Sequence, residues 1–171
     1  DISVLEFTLP NEIDWEIAAS AEYLDIDLNG LHYENQSFFT EFTNKYFYPV
    51  SVGNGLLNCN YANIQSCYNG PLSVGLYNGD SSEFQESISP SGLYDCSGNV
   101  QEWVIKSDLI NHFDIEREIL RGGSYASSPS ESSNLSYIYE YPETQHNSFG
   151  FRTIIYAENY LNYLRSSYDP K

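Results

Sequence analysis

Apolar residues in this chain fall into short groups whose period keeps changing, and the changes mark the elements. Behind Leu9-Pro10-Asn11, the positions Ile13, Ile17 and Ala21 recur at helical spacing and predict an amphipathic helix whose apolar face they form. Pro10 stops the preceding strand, Asn11 is a good N-cap, and Asp14 stands at the capping-box position. Glu12, Asp14 and Glu16 add negative charge at the positive end of the helix dipole. Phe38, Phe39, Phe42 and Tyr46 recur at three- and four-residue intervals and predict a second short helix within 35–48. Glu118 to Arg121 reads as a strand entering a tight Gly122-Gly123 bend, and Phe149 to Tyr156 as a further strand rich in β-branched and aromatic residues. Leu161, Tyr163 and Leu164 predict a short helix in the tail.

Most of the remainder is loop. Gly, Asn and Pro dominate Tyr48 to Gly53 and Asn58 to Ile64. Asp25, Asp27 and Asn29 alternate ahead of Gly30 in the manner of a calcium loop. No carboxylate follows at the far end, where a hand-type loop needs a bidentate Glu, so a solvated turn is the reading there. Sixteen Tyr and 9 Phe among abundant Asn and Ser point to a β-rich, turn-rich chain packed through aromatic rings.

The 171 residues suit one domain with a real core. Lys and Arg number 7 against 24 Asp and Glu, a net charge of −17. Such a surface repels phosphate backbones, which disfavours nucleic acid and favours metal cations or basic partners. No apolar run approaches the roughly 18 residues of a membrane helix, and no signal peptide is visible. The chain has no Met, so Asp1 is not an initiator and a mature form or a fragment is expected. Cys59 and Cys67 can be read either as a short disulfide loop or as two free thiols.

One stretch concentrates unusual residues: Gly92-Leu93-Tyr94-Asp95-Cys96-Ser97-Gly98-Asn99-Val100-Gln101-Glu102-Trp103. It is followed by Arg121-Gly122-Gly123-Ser124-Tyr125 and then by Phe149-Gly150-Phe151-Arg152. These blocks, in this order, resemble the formylglycine-generating enzyme (sulfatase-modifying factor) family, whose pattern runs G-L-Y-D-M-x-G-N-V-W-E-W, R-G-G-S-W and G-F-R. The Leu9 to Ala19 segment is similar to the family's L-P-T-E-A-E-W-E-Y-A-A helix, and Pro71 to Tyr77 to its P-V-G-S-F element. The resemblance implies an α+β fold, a C-type-lectin-like variant with short strands and few helices, over 1–156, with a tail at 157–171. The strands that precede the helix in the family have no counterpart here.

The resemblance also implies a calcium ion. Carried over residue by residue, its ligands are the side chains of Asp95 and Glu102 and the backbone carbonyls of Gly98 and Val100. Hard oxygen donors around a glycine turn suit calcium. The competing reading has Asp95 capping a turn and Glu102 paired with an Arg. A second family calcium site begins at the pair matching Asn63-Ile64, but its carboxylate-bearing segment is not recognisable here.

Active members bind copper through two cysteines in a C-x4-C arrangement just after R-G-G-S, because thiolates stabilise Cu(I). Here those positions fall on Ser127 and near Ser132. Hydroxyls do not replace thiolates for a soft metal, so catalysis of that type is not expected. His32, His112 and His146 sit at no motif spacing and read as surface or hydrogen-bonding residues. Arg121 and Arg152 read as structural ion-pair residues, with anion binding as the functional alternative.

In related proteins the loop between R-G-G-S and G-F-R lies on the exposed face. Here it offers Tyr137, Tyr139, Tyr141, Asn134 and Asn147, residue types that binding surfaces favour; an ordinary aromatic strand followed by a polar loop is the equal alternative. The expectation is a non-catalytic domain that acts as a structural or protein-interaction component of an extracytoplasmic assembly at the periplasm or cell surface. The gliding-motility and secretion lipoproteins of some bacteria, which also resemble this family, are one such setting. A ligand-recognising, lectin-like module with a variable loop is the alternative, and an oxidase of the formylglycine-generating type the second.

Overall fold

The computed structural model describes residues 6–20, 57–89, 91–108, 110, 112, 114, 116–156 and 160–161. The Asp25–Gly30 turn, the helix expected within 35–48 and most of the expected tail helix lie outside these residues.

Helix α1 spans Glu12–Ser20. Its start is fixed by Asn11, whose Oδ1 accepts from the backbone N–H of Ile13 at 3.0 Å and of Asp14 at 2.9 Å. Asn11 Nδ2 also donates to Asp14 Oδ2, so the two side chains lock the first turn. The buried face differs from the expected one. Glu12, Trp15 and Ala19 are buried, whereas Ile13 and Ile17 are half-exposed, and Ala21 lies outside the described residues. The large indole of Trp15 turns the helix: it has a polar partner in the core as well as apolar ones, and Ala19 permits close approach one turn on.

Among the described residues four strands form a mixed sheet in the order β3-β2-β1-β4: β1 is Gln101–Val104, β2 Glu118–Arg121, β3 Tyr137–Glu140 and β4 Phe149–Gly150. β2 is antiparallel to β1 and β3, while β4 runs parallel to β1. The strand expected from Phe149 to Tyr156 is therefore much shorter. Beyond Gly150, among the described residues, only Ile154 pairs again, with Thr8, and Phe151 is 67% exposed between them. Ile119 and Leu120 are both fully buried, so β2 is covered on both faces, as a central strand is.

Trp15, Ala19, Cys96, Val104 and Ile119 form the main core, and Leu57, Ala62 and Ile64 a smaller one. α1 hangs on the end of β1, since Glu12 N–H donates to the Ile105 carbonyl and Ile105 N–H to that of Pro10. Cys59 and Cys67 are joined in a disulfide, which resolves the two readings left open by the sequence. Among the described residues, no helix is long and apolar enough to cross a membrane.

Candidate functional site

The register brings the sequence blocks to one end of the sheet. Glu102 lies opposite Arg121 and beside Gly150, and Arg121 lies opposite Tyr137. The loop that feeds β1 is held in left-handed backbone at Asp95, Gly98 and Asn99. At Gly98 a Cβ would stand 2.4 Å from the Asn63 carbonyl oxygen, so only glycine fits. Asn63 and Asn99 stitch this loop to its neighbour: the Asn63 carbonyl accepts from Asn99 N–H, and Asn99 Oδ1 accepts from Leu72 N–H at 2.8 Å.

Glu102 is buried and surrounded by donors. Arg152 grips it with Nε to Oε2 at 2.5 Å and Nη2 to Oε1 at 2.6 Å, and Trp15 Nε1 donates to Oε2 at 2.6 Å. Arg152 also donates to the Tyr94 carbonyl. Burial opposes the charge on Arg152, yet its hydrogen bonds to Glu102 and the acidic groups nearby outweigh burial and hold it above the ordinary arginine range. Asp95 caps a turn by accepting from Gly75 N–H at 2.9 Å, and burial pushes its carboxyl above the usual value. Burial likewise pushes the Cys96 thiol up to about 12, so this side chain is an inert core residue.

These residues do not fit a calcium ion in this arrangement. Both Glu102 oxygens are engaged by a guanidinium, and a cation placed there would meet Arg152. Asn63 does keep a buried Oδ1 without a hydrogen-bond partner. Among the described residues, however, no three His, Cys, Asp or Glu side chains gather as a metal cluster.

Arg121 is buried as well. It donates to Glu16 Oε2 at 2.5 Å and to the Leu135 carbonyl, and its guanidinium packs against the rings of Trp15 and Tyr137. α1 is thus tied to β1 through Trp15 and to β2 through Glu16. Asn134 is a correction to the expected binding surface. It is fully buried, donates to the Ala19 carbonyl at 3.1 Å and accepts from Ser97 Oγ, so it anchors the loop to the helix. Tyr139 is half-buried and shares a hydrogen bond with His112, whose other ring nitrogen meets Glu12 at 2.5 Å. Tyr137, Tyr141 and Asn147 are exposed.

Where the four strands start or stop at this end, a cleft of about 700 Å³ opens. Gln101, Tyr137 and Phe149 line it from three strand starts, and Ser124, Ser127 and Glu131 from the segment after the Gly122-Gly123 bend. Ser127 Oγ accepts from Ser124 N–H at 3.0 Å. Ser132 is buried, and its Oγ donates to the Ser128 carbonyl at 3.1 Å. Both hydroxyls therefore serve the loop's own backbone. Tyr137 reaches the cleft, whereas Tyr139, Tyr141 and Asn147 do not line it. Gln101, His146 and Ser148 do, and little in their sequence context points to them. Gln101 stands where the family pattern has Trp, which is the one usable signal.

The sulfatase-modifying factor enzyme 1-like domain model matches residues 3–157. The chain belongs to this family. Three solved structures share the fold. Treponema denticola variable protein 1 is 22% identical, with a TM-score of 0.56 over 87% of this chain and 47% of that one. PvdO from Pseudomonas aeruginosa is 19% identical, with a TM-score of 0.60 over 87% and 52%. CarF is 21% identical, with a TM-score of 0.51 over 86% and 46%. The chain spans about half the length of each of these structures. A search of curated proteins returned no match.

Proposed function

We propose that this is a non-catalytic member of the family, which works through its surface as a protein-interaction component of an extracytoplasmic assembly. The observation that carries the reading is the chemistry of the cleft. It lies directly after Arg121-Gly122-Gly123-Ser124, where active relatives carry copper-binding thiols; Ser127 lines it, Ser132 is buried, and both hydroxyls are spent on local backbone. Soft-metal oxygen chemistry has no donor set there. The buried Cys96 is not among the cleft's lining residues.

An oxidising compartment suits the Cys59–Cys67 disulfide, which supports the extracytoplasmic placement. The gliding-motility and secretion type of assembly is the setting we favour, by analogy of fold. Calcium has no part in this reading, because Arg152 supplies the positive charge that Glu102 needs. The catalytic question has a direct test. The protein is loaded with Cu(I) and incubated in air with a cysteine-containing sulfatase peptide, and the peptide is examined by mass spectrometry. The expected result is unmodified peptide; conversion of the cysteine to an aldehyde would overturn the reading.

A further inference from the structure

We propose that the cleft at the end of the sheet binds an uncharged saccharide, one or two rings of a glycan carried by the partner. The inference rests on the reading of the cleft as a contact site and names what enters it.

Four polar groups around the cleft make no hydrogen bond among the described residues: the Gln101 amide, the Tyr137 hydroxyl, His146 Nε2 and Glu131 Oε1. His146 Nδ1 is engaged by Ser148, with Oγ at 2.5 Å and the backbone N–H at 3.2 Å, which leaves Nε2 as a donor or an acceptor according to the tautomer. The set therefore offers an amide that both donates and accepts, a phenol that does the same, an imidazole nitrogen and a carboxylate acceptor. Vicinal hydroxyls need that mixture, since each donates and accepts at once.

The same cleft carries aromatic surface. Tyr137 is 49% exposed, and Phe149 is half-buried beside His146, with ring centroids 5.3 Å apart. Such faces pack against the C–H face of a sugar ring while the polar groups address its rim. The volume falls within the roughly 300–1,000 Å³ usual for small-ligand sites.

Two other ligand classes fit less well. Among the described residues no Lys or Arg lines the cleft, and Arg121, against the Tyr137 ring, is buried and paired with Glu16. An anionic ligand would find no counter-charge among the described lining residues and would have to approach a chain of net charge −17. An extended peptide gains affinity by adding to a strand edge. This cleft lies across strand ends, and what it presents is a ring of separate side-chain groups.

The test uses the full chain, fluorescently labelled, on a printed array of neutral, sulfated and sialylated glycans and uncharged Gly/Ser/Asn peptides. Hits are then titrated by saturation-transfer NMR. The expected result is binding to neutral glycans that Tyr137→Ala and Gln101→Ala each weaken about tenfold or more. Tyr141→Ala, outside the cleft, should leave it unchanged, and near-UV circular dichroism checks that all variants fold. Cleft-dependent binding of anionic glycans or of the peptides would overturn the saccharide while leaving the cleft as a contact site. Binding that none of the cleft variants alters, or no binding at all, also overturns the proposal. The contact-site reading then stands or falls separately, on whether partner cross-links form from position 137.

Discussion

At Glu102, three donor atoms on two side chains from distant parts of the chain meet one buried carboxylate. The carboxylate joins α1, β1 and the segment after β4, so its loss would leave the Arg152 charge buried without a partner. Breaking a buried pair of this kind costs about 3–5 kcal/mol. Glu102→Ala and Arg152→Ala should each lower stability by that order, and by the same amount in calcium as in chelator, read from urea unfolding midpoints. Stabilisation of the native chain by calcium, lost in Glu102→Ala, would make Glu102 a metal ligand. The sequence marked both residues as exceptional, because so few basic side chains are present and one of them closes a motif. It could not pair them: 50 residues separate Arg152 from Glu102, and only the parallel pairing of β1 with β4 brings them together. Asn134 shows the opposite case. Its residue type suits a binding surface, and its burial depends on Ala19 and Ser97, far away in sequence.

Elements were legible where a local rule defines them. The α1 start followed from Asn11 and Asp14, and the Gly122-Gly123 bend from its glycines. The buried face of α1 did not, because apolar spacing favours Ile13 and Ile17, whereas the core is built on the larger Trp15. The end of β4 also escaped, since Phe151 and the residues after it have strand composition but, among the described residues, only the single Ile154–Thr8 bridge beside them. At the bend, Gly123 has φ +69°, and a Cβ there would lie 2.5 Å from Ser132 Oγ and 2.7 Å from the Glu131 carbonyl oxygen. Left-handed strain and overpacking each cost about 1–3 kcal/mol. Gly123→Ala should therefore destabilise the chain by about 2–5 kcal/mol and reshape the serine-lined wall of the cleft. A thermal melt checks the first effect; an unchanged midpoint would mean the bend is not the tight element described.

Across the whole molecule, the three sequence blocks converge at one end of a small mixed sheet, and the family's fold is kept. The blocks were readable because each is a turn or bend with a demanding backbone. The cleft they border was not, because it is assembled from Gln101, Tyr137, Phe149 and loop serines that carry no motif of their own. Its position argues for contact with another molecule, and the acidic surface selects against anionic ones. The most direct test of that claim is site-specific photo-cross-linking in the source cells, with the cross-linker placed at Tyr137 and, as a control, at the exposed Ser82 on a different loop. The account predicts a discrete cross-linked species from position 137 that is absent from position 82. Identical patterns from both positions, or none from position 137, would contradict it.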